Sequence, residues 1–432
     1  EFMRELGVGI IGVGVVGSAV VKILHDSFEL IQSRANVRLK PICGVVRDLA
    51  KTREIYDLPL TNSIDELINN PEIHIVIELM GGIDKSYEVA KKVISKNKAL
   101  VTANKAMLAY HRFELERLAR DYIGSSIGFE ASVCGGVPVI KILKDGMSAN
   151  HILRISGILN GTSNFILSQM EENKSFEEAL NIAQNLGYAE ADPTLDLDGS
   201  DAAHKLLILS SLAYGIDAKP EDISISGIYG LQNVDIDFAK NMKRSIKLLA
   251  NAILDGNNLS LSVELCMIKD DEMLAKINGV NNALSIIGDR SGEILVSGLG
   301  AGGQATASAV ISDLIEVARG KSGLNFGHKL HRELILQDLK DIKSRFYIRF
   351  FVLDKIGVLE EITNIFKHHN ISLELVYQNQ AKTKQVAQIQ FVTHLCTRSD
   401  LQSAISKIND SSFCAQKAFV IKLHEQPQSQ SH

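Results

Sequence analysis

The sequence predicts an α/β protein: a doubly wound parallel sheet, then an α+β segment, then a split βαββαβ unit. Three observations carry this. A β-branched apolar run, Leu6 to Ile11, leads straight into Gly12-Val13-Gly14-Val15-Val16-Gly17 and an apolar-periodic helix reaching about Ile31. Short apolar runs at Arg38 to Val46, Ile73 to Leu79 and Ala99 to Thr102 follow, separated by helical patterns, as the strands of a buried parallel sheet are. Beyond about Lys329 the order becomes strand, helix, strand, strand, helix, strand.

The N-terminal run has the Rossmann-type context of strand, glycine loop and helix. Gly12 makes the tight turn, Gly14 lets backbone approach a pyrophosphate, Gly17 permits close helix–strand packing, and the phosphates rest on the helix N-terminus. Gly12, Val13, Gly14, Val15, Val16 and Gly17 are therefore the expected dinucleotide loop. The second strand ends at Arg47 rather than at an acid, and Arg47 with Lys51 and Arg53 suits a 2′-phosphate. This favours NADP(H), with NAD(H) as the alternative because Asp48 is one residue further. Two more strands end in Met80-Gly81-Gly82 and Thr102-Ala103-Asn104-Lys105, where the carboxyl edge of such a sheet meets its ligand. Met80, Gly81 and Thr102 join the cofactor set there.

In the middle segment, a glycine-rich turn runs from Glu130 to Pro138, and a strand-like run, Ile152 to Ile158, leads to Asn160-Gly161-Thr162-Ser163-Asn164. The amide of Asn160 and the hydroxyl of Thr162 can pair polar substrate groups, and Thr162 or Ser163 can equally cap a helix. Glu190, Asp192, Asp196, Asp198 and Asp201 then crowd ahead of a helix expected from about Asp201 through Tyr214. Such carboxylates repel unless a cation sits among them. A calcium loop does not fit, because Thr194 takes the first ligand's place and no Glu closes the loop. The ammonium of an amino-acid substrate remains. Asp201 and Lys205 share a helix face with Ile208 and Leu212, which turns the lysine toward a core and suits it to proton transfer, against the plainer reading of a surface i,i+4 pair. A second glycine loop, Ser297 to Gly303, feeds a helix from about Thr306 to Arg319.

The match at Ala183, Gly187-Tyr188-Ala189, Asp192-Pro193, Asp196-Leu197, Gly199, Asp201 and Lys205 resembles the signature of homoserine dehydrogenases. The resemblance implies reversible NAD(P)H-dependent reduction of L-aspartate 4-semialdehyde to L-homoserine in aspartate-family biosynthesis. It implies that Glu190 and Asp201, with Asn160, Thr162 and Gly187 beside them, hold the substrate, and that Lys205 donates the proton. It places Lys105 near nicotinamide and substrate, has Asp196 orient the lysines or a water, and brings Gly302 or Gly303 to the nucleotide. It also implies a sodium ion on the backbone carbonyls of Glu130, Val133, Gly135 and Val137, a role that a glycine-rich hinge turn explains as well.

The C-terminal pattern is ferredoxin-like, and its first connection, Asp354-Lys355-Ile356-Gly357-Val358-Leu359, resembles the loop of the amino-acid-binding ACT domain, with Ile356 where proline is usual. Asp354, Ile356, Gly357, Val358 and Leu359 are the expected effector contacts, for an amino acid such as threonine. The resulting plan is a dinucleotide-binding domain over 3–135, completed by the helix at about 303–320. A substrate and dimerisation domain over 136–302, a linker over 321–343, a regulatory domain over 344–424 and a disordered tail over 425–432 follow. Glu1-Phe2 reads as a cloning remnant. With 22% charged residues and a net charge of -5, no basic field exists for nucleic acid. No apolar stretch reaches a membrane span. Five scattered cysteines suit a reducing cytoplasm and none is set as a nucleophile, which argues against a phosphorylating semialdehyde dehydrogenase. A homodimer or homotetramer is expected. The remaining alternative is an amino-acid sensor on a silent dehydrogenase scaffold, whose mark would be a broken catalytic set.

Overall fold

The computed structural model describes residues 4–122, 126–320, 326, 333–379 and 385–425. Glu1, Phe2, linker residues 321–325 and 327–332, and tail residues 426–432 lie outside the described residues. The chain divides into two compact units, residues 1–161 with 201–223 and 280–334, and residues 162–200 with 224–279 and 335–432.

In the first unit, β1 (Glu5–Ile11), β2 (Arg38–Val45), β3 (Leu60–Thr61), β4 (Ile73–Glu78), β5 (Ala99–Thr102) and β6 (Ile127–Gly128) form one sheet in the order β3-β2-β1-β4-β5-β6. All five neighbouring pairs are parallel. Such strands are covered on both faces, which is why they read as continuous apolar runs. The order reverses between β1 and β4, so the ligand crevice of the sheet opens beyond Ile11 and Glu78. The helix expected to reach Ile31 instead breaks into Val15–Asp26 and Phe28–Ala35. The break falls at Ser27, where two successive residues, Asp26 and Ser27, favour helix ends over helix interiors.

The helix Gly303–Ala318 packs on Val15–Asp26, and its Val310, Ile311 and Leu314 join Ile10, Val20, Leu24 and Val101 in one buried cluster. Burying each such side chain contributes roughly 1.5–3 kcal/mol. Chain segments almost 300 residues apart are thus fused into one core. The first unit also holds an antiparallel trio, Ile152–Ile158, Asn281–Gly288 and Gly292–Leu299.

In the second unit, Arg244–Asp255 and Asn258–Lys269 form a long antiparallel hairpin. The C-terminal sheet has the order Cys414–Leu423, Phe346–Leu353, Val386–Thr393, Leu373–Asn379, with all three pairs antiparallel. Helices Val358–His368 and Arg398–Asn409 supply Ile362, Phe366, Leu401 and Ile408 to the core beneath it. This is the ferredoxin-like arrangement. It is not a free appendage, because Cys266-Met267 of the hairpin pair in parallel with Lys422-Leu423, extending one sheet into the other. The acidic stretch expected as loop contains a short helix, Thr194–Leu197.

Candidate active site

The glycine loop after β1 is built as a receiver of phosphate. Gly12 has φ of +98°, and a Cβ there would lie 2.7 Å from the Leu79 carbonyl oxygen. A Cβ on Gly17 would lie 2.3 Å from the Gly12 oxygen, whereas one on Gly14 would meet nothing within 4 Å. Gly17 thus holds the helix against the strand end and Gly14 leaves its backbone approachable. The helix starting at Val15 has no side-chain cap and no acid in its first turn, so its leading N–H groups await an anion. Val13 is in the core and Val15 is exposed. The second glycine loop arrives here too, since a Cβ on Gly303 would sit 2.8 Å from Val15 Cγ1. The helix that Gly303 opens is likewise uncapped, behind Gly302 at φ of +113°.

Two members of the expected cofactor set act differently. The Arg53 guanidinium donates to the carbonyls of Val13 at 3.1 Å, Asp48 at 2.9 Å and Lys51 at 2.8 Å, bracing the loop instead of awaiting a phosphate. Thr102 is fully buried, and its hydroxyl donates to Glu78 at 2.7 Å and accepts the Asn104 N–H at 3.0 Å. Glu78, missed in the sequence, also accepts the Met80 N–H at 2.8 Å, and burial pushes its carboxyl pKa up. Glu78 and Thr102 therefore tie the Met80-Gly81 loop to the Lys105 loop. Asn104 caps the helix Lys105–Arg120, accepting from Met107 N–H, and donates to the Gly82 carbonyl at 2.7 Å.

Lys105 follows the carboxyl end of β5, and its ammonium lies 2.8 Å from Asp201 Oδ1. The other oxygen, Oδ2, accepts from Lys205 Nζ at 2.8 Å and from Asn160 Nδ2 at 2.9 Å. Lys205 Nζ also donates to the Leu159 carbonyl at 2.6 Å, an oxygen shared with Asn282 Nδ2 at 3.1 Å. Asp201 and Lys205 are 8% and 9% exposed, so this ion pair is no surface i,i+4 contact. Burial raises the Asp201 carboxyl pKa, but the Lys205 and Lys105 ammoniums outweigh it and hold the group well below the usual carboxylate range.

One buried side chain fixes the helices that carry the two lysines. Arg112, on the Lys105 helix, donates Nε to Ser211 Oγ on the helix Ser200–Tyr214, and Nη2 to the Ala218 carbonyl at 2.7 Å. Desolvation pushes its pKa down to about 10. The sequence carries a signal for it: an arginine interrupting the apolar line Leu108, Leu115, Ala119.

The acidic loop is largely satisfied from within. Asp192 accepts the Thr194 hydroxyl at 2.5 Å, Asp198 accepts the Ser200 N–H at 2.8 Å, and Asp201 has its two lysines. The cation expected among the acids is therefore, at Asp201, the protein's own pair of ammoniums. Among the described residues, the exposed Glu190 carboxylate takes no protein partner. Gly187 has φ of +75° and open space above it. Thr162 and Ser163 lie inside the helix Gly161–Glu171 rather than capping it, and the Thr162 hydroxyl donates to the Tyr188 carbonyl at 2.7 Å. Asp196 sits in the Thr194–Leu197 turn, half-buried. Gly187, Glu190 and Asp196 belong to the second unit, and Lys105, Asn160, Asp201 and Lys205 to the first.

At the Glu130 turn, Cys134 and Gly135 have φ of +59° and +50°. The Glu130 and Val137 carbonyls each accept one backbone N–H, from Val133 and Val139, while those of Val133 and Gly135 accept none among the described residues. Each of the four oxygens keeps a lone pair free of backbone N–H donors, as a ligand of a hard monovalent cation requires. No group of three or more His, Cys, Asp or Glu that could hold a metal occurs among the described residues. Burial pushes the Cys134 thiol up to about 11 and the Glu130 carboxyl up to about 7. A carboxyl raised from 4.5 to about 7 binds its proton more tightly folded than unfolded, so its contribution to stability falls as pH rises through that window. Glu130→Gln should flatten this slope, by up to about 1.4 kcal/mol per pH unit, in melting curves between pH 5 and pH 8. An unchanged slope would locate the titration elsewhere.

In the C-terminal loop, Gly357 has φ of +91° and opens the uncapped helix Val358–His368, while Ile356 and Leu359 are exposed. Val358 differs from expectation: its side chain is buried in the core with Ile362 and Phe366, leaving only its backbone for a ligand. No helix among the described residues is long and apolar enough to cross a membrane.

Comparison with known proteins agrees with this architecture. Residues 12–124 match the NAD-binding domain of homoserine dehydrogenase, residues 138–315 the homoserine dehydrogenase family, and residues 346–412 the ACT domain. A homoserine dehydrogenase of Helicobacter pylori is 50% identical over 408 residues, covering 94% of this chain and 96% of that protein. A homoserine dehydrogenase structure from Thiobacillus denitrificans superposes with a TM-score of 0.91 at 36% identity, over 98% of this chain and 99% of that one. A hyperthermophilic archaeal homoserine dehydrogenase in complex with NADPH gives 0.62 at 28% identity, over 74% of this chain and 100% of that one. The chain belongs to the homoserine dehydrogenase family and carries an ACT domain at its C-terminal end.

Proposed function

We propose that the protein reversibly reduces L-aspartate 4-semialdehyde to L-homoserine for threonine, methionine and isoleucine biosynthesis, with NADP(H) as the favoured cofactor. The observation that carries the mechanism is the carboxylate of Asp201 bridging two ammoniums at the carboxyl edge of the dinucleotide sheet. A bound nicotinamide supplies the hydride.

The chain's own residues do the rest. Two ammoniums and one carboxylate leave the Lys105-Asp201-Lys205 group with one net positive charge, which favours the oxyanion developing on the aldehyde. Lys205, aimed by the Leu159 carbonyl and Asp201, gives that oxygen its proton in reduction and takes it back in oxidation. Glu190 receives the substrate ammonium, with Gly187, Thr162 and Asn160 lining the polar end and Asp196 ordering the lysines or a water. Arg47 and Lys51, both exposed, hold the 2′-phosphate. Arg47→Ala should raise KM for NADPH about tenfold and leave NADH unchanged; equal effects on both would remove Arg47 from cofactor choice. The archaeal relative's complex with NADPH is in line with NADPH as a cofactor here.

Functionally, the cofactor domain spans 3–135 with the helix at 303–320, the substrate and dimerisation domain 136–302, and the regulatory domain 344–424. The carbonyls of Glu130, Val133, Gly135 and Val137 would hold a sodium ion, whose charge would steady the hinge turn. An amino acid such as threonine binds at Asp354, Ile356, Gly357, Val358 and Leu359, its carboxylate on the open helix start. The working form is a cytoplasmic homodimer or homotetramer. Mixing the protein with aspartate semialdehyde and NADPH or NADH, followed by product chromatography, tests the reading. Homoserine with either cofactor supports it; no turnover by folded protein would favour a silent amino-acid sensor.

A further inference from the structure

The ACT sheet is fastened to the acidic loop by a continuous contact, buried at Asp235, Arg349 and Ile228, all within the second unit. Arg349 lies on the strand Phe346–Leu353, which ends where the Asp354 loop begins. Its Nε donates to Asp235 Oδ1 at 2.8 Å and its Nη2 to the Gly230 carbonyl at 2.8 Å. Tyr347 Oη donates to the same carboxylate oxygen at 2.6 Å, and Gln390 Nε2 reaches both Tyr347 Oη at 2.7 Å and the Val234 carbonyl at 3.1 Å. Asp235 Oδ2 accepts the Gln232 N–H at 2.9 Å, so it closes the start of the helix Asn233–Asn241 as well. Asp235 and Arg349 are 0% and 2% exposed.

From Gly230 the contact continues through the segment 226–231. Ile228 N–H donates to the Leu197 carbonyl at 2.8 Å. A Cβ on Gly227 would lie 2.0 Å from that oxygen and 2.6 Å from Asp198 Cα, so the two backbones touch without room for any side chain. Asp198 in turn accepts the N–H of Ser200, the first residue of the helix that carries Asp201 and Lys205. On the other side, Ser226 N–H donates to the Val263 carbonyl at 2.7 Å, which holds the segment against the hairpin.

A buried ion pair stabilises little over apolar residues of the same shape, whereas one that loses a partner is strongly destabilising. We propose that Asp235 and Arg349 are a positioning clamp: they transmit the placement of the ACT strand, through Gly230 and Ile228, to the Leu197-Asp198 turn and hence to the start of the Asp201 helix. A displacement of the strand next to the Asp354 loop then reaches the Leu197-Asp198 turn through the Arg349 side chain and the backbone contact at Ile228. Its kinetic consequence rests on the proposed reaction; its structural claim does not.

The test uses the full-length protein as Arg349→Met and Asp235→Asn, the latter keeping an acceptor for the Gln232 N–H. Phe366→Leu, in the ACT core but away from the clamp, is the control. Circular dichroism establishes folding, and Asp235→Asn decides if Arg349→Met does not fold. Amide exchange at Ile228 and Ser200 should accelerate about tenfold in the clamp variants and stay unchanged in the control. KM for aspartate semialdehyde should rise about fivefold with kcat retained. Unchanged exchange at both amides, or unchanged KM in an active enzyme, overturns the clamp. If the unmodified protein has no dehydrogenase activity, the reaction fails but the exchange comparison still decides the clamp.

Discussion

Lys205→Ala is expected to lower turnover by roughly a hundred- to ten-thousand-fold, the range that general acid–base catalysis contributes. The side chain is not a surface charge whose loss neighbours would absorb, because it is 9% exposed and anchored at once to the Leu159 carbonyl and Asp201 Oδ2. Folding should survive, since Asp201 keeps Lys105 at 2.8 Å and Asn160 at 2.9 Å and so is not left as an unpaired buried charge. The signature is a fall in kcat at nearly constant cofactor KM, read from steady-state rates beside a melting curve. Near-normal turnover would remove Lys205 from proton transfer and leave Lys105 as the remaining ammonium on Asp201.

Gly17→Ala is expected to damage cofactor binding without touching the chemistry. Its Cβ would lie 2.3 Å from the Gly12 oxygen, which belongs to backbone and cannot rotate aside. The helix Val15–Asp26 must then lift from the strand end, carrying its uncapped N–H groups away from the phosphate position. Overpacking of this kind costs about 1–3 kcal/mol, which converts to a KM for the nicotinamide cofactor raised roughly five- to 150-fold. Gly14→Ala disturbs no protein atom within 4 Å, so a rise in its cofactor KM reports the lost approach of the pyrophosphate alone. Equal KM values for Gly17→Ala and the unmodified protein would mean that the helix start does not hold the pyrophosphate.

Much of the fold was legible because local pattern and tertiary role coincide. Ile152–Ile158 and Val386–Thr393 are largely apolar runs rich in β-branched residues, and they are strands over those same residues. Ser200 stands where an acidic loop meets an apolar period, and the helix begins there. The interactions that stayed hidden are made between residues far apart in sequence. Arg112 meets Ser211 across 99 residues, and Tyr347 meets Asp235 across 112. Neither spacing has a sequence period. The acids illustrate a subtler limit: their crowding is visible in sequence, but Asp192 and Asp198 are satisfied by Thr194 and Ser200, donors two residues away. Counting charges therefore overstated the need for an external cation. The basic cluster after the second strand shrinks for a similar reason, to Arg47 and Lys51, as Arg53 is engaged by three backbone carbonyls.

The most direct test of the account follows the hydrogen itself. Aspartate semialdehyde is reduced with NADPH carrying deuterium at C4 of the nicotinamide, on each face in turn, and the homoserine is analysed by mass spectrometry and proton NMR. One deuterium bound to C4 of homoserine is expected from one labelled face and none from the other, with this transfer lost in Lys205→Ala. Homoserine free of carbon-bound deuterium from both labelled faces, or label transfer at full rate in Lys205→Ala, would contradict it.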